Sequence, residues 1–178
     1  AGMSASECYQ ITYSPVQAQR LFPLHLLKMQ AIHLSTWMGM ADLLQLKRLE
    51  AAYDRTQGRL AKRVLGEEEL TIFEQRLKRN HKRGIAYLAT RFAAKEAFSK
   101  AIGLGMHMPM TWRSLQTLNQ SSGKPYTKYS GALADFMSEK QWYAQVTVTD
   151  EQDMVMAFVV VSYGTPIVST FDPSNYIG

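Results

Sequence analysis

Apolar positions change their spacing along this chain of 178 residues, and the change separates a helical part from a strand-rich part. Up to about residue 102, leucine, alanine and aromatic residues recur every three or four positions, and this spacing predicts helices over 42–53, 67–79 and 85–102. Beyond it the pattern is typical of strands over 112–119, 126–129, 143–149 and 155–161, with a short helix over 132–140. Helices followed by antiparallel strands predict an α+β fold.

Two end segments lie outside this pattern. Residues 1–36 match no periodic element, although their leucine and aromatic residues favour docking on a surface over free disorder. We treat them as an N-terminal extension of unknown role, and residues 164–178 as a C-terminal tail. The predicted domain spans residues 37–163, and this length suits a single hydrophobic core.

The helix predicted over 85–102 carries the most informative stretch of the sequence, residues 91–101. The stretch is rich in alanine, lacks glycine and proline, and places Glu96 and Lys100 one turn apart on one side. A carboxylate and an ammonium at the edge of a packed surface need partners, and a metal ion and a phosphate would pair with both. Spacing alone favours a plainer interpretation, a surface ion pair contributing a few tenths of a kcal/mol, roughly 0.2–0.5.

Neighbouring glycines add weight to a ligand site. Gly103 and Gly105 follow the helix directly and allow either a sharp turn or the close approach of a backbone to a ligand. A basic turn, Gly123-Lys124-Pro125, comes later in the chain.

Two further segments leave their roles open. Asp42 opens the first predicted helix, where it is either the N-cap or a metal ligand. Three arginines follow at positions 48, 55 and 59, and they form either a solvated basic face or a binding surface. Residues 80–84 are predicted as a basic loop in which His81 is exposed to solvent and binds no metal.

Taken together, these stretches resemble the holo-acyl-carrier-protein synthase family of 4′-phosphopantetheinyl transferases over roughly residues 38–163. The stretch 91–101 followed by Gly103-Leu104-Gly105 carries most of the resemblance, and residues 59–70, 87–89, 123–125 and 149–160 add to it. The resemblance implies N-terminal helices packed on an antiparallel sheet, and a homotrimer with active sites between neighbouring subunits. It also implies Mg²⁺-dependent transfer of 4′-phosphopantetheine from coenzyme A to a serine of acyl carrier protein, with release of adenosine 3′,5′-bisphosphate.

The resemblance also implies roles for individual residues. Asp42 and Glu96 would hold Mg²⁺ and Lys100 would approach the phosphates, so these three form the expected catalytic set. Contacts with the cofactor are expected from Arg91, Lys100, Lys124, Pro125 and the backbone N–H groups around Gly103 and Gly105. A structural role for Arg91 stays open beside this one. The carrier protein would meet Arg48, Arg55 and Arg59, with Arg48 foremost.

The sequence departs from the family pattern at two places. The family usually has Gly-x-Gly-x-Asp where this chain has Met38-Gly39-Met40-Ala41-Asp42, so its glycines are out of register or missing. The family often has a histidine in the last hairpin where this chain has Gln145. Any acid/base role of that histidine is lost here or reduced to an amide contact.

Composition narrows the remaining classes. A single cysteine, Cys8, rules out an internal disulfide and agrees with a cytoplasmic protein. Residues 21–46 are apolar but carry charged and histidine positions, so no membrane span is predicted. The net charge of +5 attracts polyanions, but the aromatic residues are not interleaved with the basic ones as single-strand nucleic-acid binding requires. The alternatives to the enzyme are an inactive relative that binds coenzyme A or carrier protein, and a basic nucleic-acid binder.

Overall fold

A long antiparallel hairpin forms the middle of the main sheet. In the computed structural model, which describes residues 11–12, 38–151 and 153–164, strands β5 (Trp142–Glu151) and β6 (Met154–Tyr163) pair along their full length. Strand β2 (Met38–Gln45) pairs with the other side of β6, and the short β1 (Ile11–Thr12) pairs with β2. The strand order is therefore β1-β2-β6-β5.

One face of this sheet is apolar and packs on the helices. Val146 and Val148 lie on that face with Val155, Ala157 and Val159 of β6, which are each at most 1 % exposed. The opposite face carries Gln145, Thr147 and Thr149. The predicted alternation of β5 is confirmed, because each strand residue points to the side opposite its neighbour.

Five helices surround the strands in the described part of the chain. They are α1 (Leu46–Arg55), α2 (Arg59–Val64), α3 (Glu67–Arg79), α4 (His81–Ala101) and α5 (Ala132–Glu139). The longest, α4, packs against both β2 and β6 as well as α3. Ala89, Ala93 and Ala97 are completely buried along it, so the alanine-rich sequence allows close approach of the neighbouring elements.

A separate two-stranded hairpin covers one side of α4. Its strands are β3 (Leu115–Asn119) and β4 (Pro125–Tyr129), with Leu115 opposite Tyr129 and Asn119 opposite Pro125. The turn between them contains Lys124, which is exposed.

The predicted α+β fold is confirmed, and two local predictions are wrong. Asp42 is not an N-cap, because it lies inside β2 opposite Ala157 and the helix begins four residues later, at Leu46. Residues 81–84 are not a loop, because α4 already begins at His81, where the Asn80 side chain accepts a hydrogen bond from Arg83 N. His81 itself is exposed, as predicted, and lies 3.1 Å from Glu50.

Some predictions concern the ends of the chain. The predicted extension over 1–36, apart from β1, and the tail beyond residue 164 lie outside the described residues. In the described part, none of the helices has both the length and the apolar character needed to cross a bilayer.

Candidate active site

Three charged side chains predicted from the sequence meet between β2 and α4; we call them the charged cluster. Asp42 lies on the face of β2 that packs toward α4, and Glu96 and Lys100 lie one turn apart on that helix. The Lys100 ammonium donates a hydrogen bond to Asp42 Oδ1 at 3.0 Å, with side-chain exposures of 28 % for Lys100 and 17 % for Asp42. Lys100 therefore pairs with a residue that lies 58 positions away in the sequence and on a different element. A surface ion pair between Glu96 and Lys100 within one helix does not include this contact.

Glu96 is held in an electrostatically unfavourable position within this cluster. Partial burial raises the pKa of Glu96, and the nearby Asp42 carboxylate raises it further, while Lys100 acts in the opposite direction. Two carboxylates and one ammonium leave one negative charge in excess when all three are ionised. A cation placed beside the carboxylates would relieve this repulsion.

The residues of the charged cluster fit a magnesium site. No group of three His, Cys, Asp or Glu side chains in the described residues is arranged to hold a metal ion. A site here would therefore rest on two carboxylates. Mg²⁺ commonly binds through one or two carboxylates and completes its octahedron with water and substrate phosphate oxygens, whereas Zn²⁺ usually takes three or four protein ligands.

The predicted glycines end α4 next to the charged cluster. Gly103 N donates to Lys100 O at 3.0 Å, and Gly105 N donates to Ser99 O at 3.1 Å. Both amides therefore have partners within the chain. The expected contact of the backbone around Gly103 and Gly105 with the cofactor stays a prediction.

The turn that carries Lys124 borders a groove between the β3–β4 hairpin and the main sheet. This groove has a volume of about 620 Å³ and is lined by Lys124 and Pro125 of the hairpin turn and by Gln145 and Phe158 of the main sheet, among others. Among the described residues that line it, none belongs to the charged cluster. The groove beside Lys124 and Pro125 is therefore lined by residues other than those of the predicted metal site.

Arg91 is buried and bonded to protein groups. Its side chain donates to Thr117 O at 3.0 Å, to Thr90 Oγ1 at 3.0 Å and to Asn119 Oδ1 at 2.6 Å. Its guanidinium carbon also lies 4.1 Å from the ring centre of Tyr87. Burial lowers the pKa of Arg91 from its ordinary value. These contacts support the structural alternative for Arg91.

Sequence reasoning missed a buried ion pair directly beside Glu96. Lys95 and Glu69 are both completely buried and lie 2.7 Å apart. Lys95 also donates to Leu115 O, while Glu69 accepts hydrogen bonds from Gly66 N at 3.0 Å and Thr117 N at 2.7 Å. The only local signal is a lysine between alanine and glutamate in an otherwise apolar stretch, and it does not name the partner.

The arginines predicted to meet the carrier protein all lie at the surface. Arg48 and Arg55 are exposed on α1, and Arg59 is exposed at the start of α2. Arg59 Nε donates to Thr56 O at 3.1 Å, which fixes its stem near the α1–α2 junction. The three side chains are available to a partner, and their role stays a prediction.

Comparisons with known proteins identify relatives over the described domain. Residues 41–159 match the sequence model of the 4′-phosphopantetheinyl transferase superfamily. The chain is 73 % identical over 121 residues to a holo-[acyl-carrier-protein] synthase of Polynucleobacter asymbioticus, covering 68 % of this chain and 93 % of the relative. A protein of the same name from Burkholderia vietnamiensis is 58 % identical over 125 residues, covering 70 % of this chain and 86 % of the relative.

Solved structures agree with these sequence relatives. A holo-[acyl-carrier-protein] synthase from Neisseria meningitidis superposes with a TM-score of 0.64 at 35 % identity, covering 69 % of this chain and 95 % of that one. A Bacillus anthracis synthase in complex with CoA (3′,5′-ADP) gives a TM-score of 0.58 at 25 % identity, with coverages of 71 % and 96 %. The part of the chain that carries the charged cluster is thus the part that these proteins share.

Proposed function

Because this chain belongs to the 4′-phosphopantetheinyl transferase superfamily, we propose that its charged cluster is the Mg²⁺-dependent centre of a holo-acyl-carrier-protein synthase. The enzyme transfers 4′-phosphopantetheine from coenzyme A to a serine of apo-acyl carrier protein. The observation that carries the assignment of the centre is the meeting of Asp42, Glu96 and Lys100 between β2 and α4.

The proposed roles follow from the charges in this cluster. Asp42 and Glu96 hold the metal ion, which supplies positive charge against the diphosphate oxygens of coenzyme A. Lys100 acts as a compact positive charge that orients the same diphosphate. Transfer of a phosphoryl-linked group asks for alignment and charge stabilisation more than for covalent chemistry, and this short list of residues is suited to that task.

Substrate contacts outside the cluster are assigned to exposed basic residues. Lys124 meets the nucleotide phosphate of coenzyme A from the hairpin turn, next to Pro125. Arg48, with Arg55 and Arg59, meets the acidic surface of the carrier protein, because exposed arginines pair with carboxylates through two parallel hydrogen bonds. Gln145 borders the same groove as Lys124 and offers an amide in place of an imidazole.

We further propose that the outer face of the main sheet joins three copies of this chain. Leu43, Met156 and Phe158 are 60 %, 44 % and 39 % exposed on neighbouring strands of that face, which is unusual for a surface in contact with water. Phe158 also lines the groove next to Lys124. A neighbouring copy on this face would cover apolar area and complete the groove. Light scattering at the mass of three chains checks this proposal.

The assay that tests the function is intact-mass spectrometry of apo-acyl carrier protein. Incubation with coenzyme A and Mg²⁺ is expected to add one phosphopantetheine group, and chelation of the metal with EDTA is expected to stop the gain. Addition without any divalent metal would contradict the metal role. Binding of coenzyme A with no mass gain would instead favour the inactive relative.

A further inference from the structure

Two side chains connect the helix of the charged cluster to the turn that carries Lys124. Arg91 Nη2 on α4 donates a hydrogen bond to Asn119 Oδ1 at 2.6 Å. Asn119 Nδ2 then donates to Gly123 O in the β3–β4 turn at 2.7 Å. The Asn119 side-chain amide therefore makes two hydrogen bonds: its oxygen accepts from α4, and its NH2 group donates to the β3–β4 turn.

The first link of this connection is rigid. Arg91 is 4 % exposed, and its other hydrogen bonds to Thr117 O and Thr90 Oγ1 hold the guanidinium in one orientation. A charged donor makes a stronger hydrogen bond than a neutral one, so the Asn119 carbonyl is drawn firmly toward Arg91. With its oxygen held by Arg91, the Asn119 amide directs its NH2 group toward the turn.

The second link fixes a turn that has few other restraints. Gly123 has a φ of +86°, which residues with a side chain rarely adopt, and its N–H donates to Gln120 O at 2.9 Å. Gln120 N donates to Lys124 O at 2.9 Å. Residues 119–124 are all exposed, so these hydrogen bonds hold the turn without support from a hydrophobic core.

We propose that Asn119, oriented by Arg91, is a positioning residue that sets the 120–124 turn and with it the place of Lys124. Its effect on catalysis rests on the proposed function, in which Lys124 meets a phosphate of coenzyme A. Arg91 lies five residues before Glu96 on the same helix. One rigid element therefore presents the metal-binding carboxylate and, through Asn119, also sets the basic turn.

The direct test compares three variants by amide hydrogen exchange, measured by NMR. Asn119→Ala removes both links, whereas Asn119→Asp keeps the acceptor for Arg91 but has no hydrogen to donate to Gly123 O. Asn80→Ala is the matched control, because Asn80 also bonds a backbone group but lies at the far end of α4. Exchange at the Gln120 and Gly123 amides is expected to rise about fivefold in both Asn119 variants and to stay unchanged in the control.

Unchanged exchange in Asn119→Ala would overturn the proposal. So would normal protection in Asn119→Asp, because the link to Arg91 alone would then hold the turn. This readout does not depend on coenzyme A, so its failure is separate from any failure of the proposed function.

Kinetics then test the consequence for the substrate. The KM for coenzyme A is expected to rise about fivefold in Asn119→Ala and Asn119→Asp, with kcat and the KM for carrier protein nearly unchanged. Lys124→Ala should raise the same KM, and adding Asn119→Ala to it should raise it no further. A raised KM with normal amide exchange would show that Asn119 touches the substrate itself, and it would overturn the positioning role.

Discussion

Lys95 and Glu96 are neighbours on α4, yet they lie in two opposite electrostatic environments. Lys95 is completely buried and is matched by the equally buried Glu69. Glu96 is only partly buried and shares its surroundings with a second carboxylate, Asp42, as well as with Lys100. Two adjacent positions of one helix thus differ: Lys95 belongs to a balanced ion pair, and Glu96 lies where negative charge is in excess.

The difference separates a structural charge from one suited to a ligand. Every interaction described for Glu69 joins protein groups: it closes the first turn of α3 through Gly66 N, holds β3 through Thr117 N and pairs with Lys95. Burial of Lys95 lowers its pKa, and the Glu69 carboxylate opposes that shift. At Glu96 the neighbouring carboxylate adds to the effect of burial, and either a proton or a bound cation would relieve the repulsion.

The largest effect on stability is expected from breaking the balanced pair. Lys95→Met keeps an unbranched side chain of similar length but leaves Glu69 as a buried charge without its cation, so the free energy of unfolding should fall by about 3–5 kcal/mol. Denaturant unfolding measures the loss. Adding Glu69→Gln should recover part of it, because the charge is gone while an amide oxygen still accepts from the backbone. Equal stability of Lys95→Met and the unmodified protein would contradict the structural role.

Removing the charge of Glu96 is expected to lower activity and to leave stability intact. Glu96→Gln should lower kcat by on the order of a hundredfold to a thousandfold, because the proposed metal site loses one of its two carboxylates. Unfolding measured without metal should show no loss of stability and a slight gain, since the repulsion from Asp42 is removed. Near-normal turnover with Mg²⁺ would refute the metal role, and a large loss of stability would move Glu96 into the structural class.

The contrast also shows what the sequence could and could not predict. Glu96 and Lys100 were found because their spacing and their resemblance to a family are local properties of residues 91–101. The partner of Lys95 is Glu69, 26 residues away on another helix, and no local pattern names it. The burial of Lys95 depends on tertiary packing. Its residue type predicts the opposite, because lysine is rarely buried unless it is paired.

Two helix boundaries were missed for related reasons. Asp42 has the residue type of an N-cap, but pairing with β6 across more than a hundred residues extends the strand through it. At the start of α4 the basic sequence suggested a loop. There Asn80 caps the helix, and Gly84 packs so near α3 that a Cβ atom would lie 2.8 Å from Leu77 Cα. Both outcomes depend on contacts between elements.

The pH dependence of stability offers a smaller and more specific test of Glu96. Its pKa in the folded protein is raised above the ordinary value of 4.5, so the folded state holds this proton more tightly than the unfolded chain does. The corresponding stabilisation is complete below about pH 4.5 and is lost as the pH rises through the raised folded pKa.

Unfolding curves in EDTA between pH 4 and pH 7, roughly the range in which a perturbed carboxyl titrates, measure this term. The difference in stability between the unmodified protein and Glu96→Gln should shift in favour of the glutamine variant as the pH rises. A difference that stays constant across the range would show that Glu96 titrates as an ordinary surface carboxyl.

The smallest effect is expected from an ion pair of the same chemistry placed at the surface. Glu68, next to Glu69 in the first turn of α3, lies 2.6 Å from Lys128 on β4, and both side chains are about half exposed, at 48 % and 53 %. The buried pair joins α3 to α4, whereas this one joins α3 to the β3–β4 hairpin, so each is an ion pair between two elements. Lys128→Met is therefore a matched partner of Lys95→Met: the substitution is the same, and the two glutamate partners, Glu68 and Glu69, are adjacent in the sequence.

Water already solvates both exposed groups, so the unfolding midpoint of Lys128→Met should not move measurably, whereas that of Lys95→Met should fall sharply. Similar losses in the two variants would mean that joining α3 to a neighbouring element, and not the burial of charge, sets the contribution of Lys95.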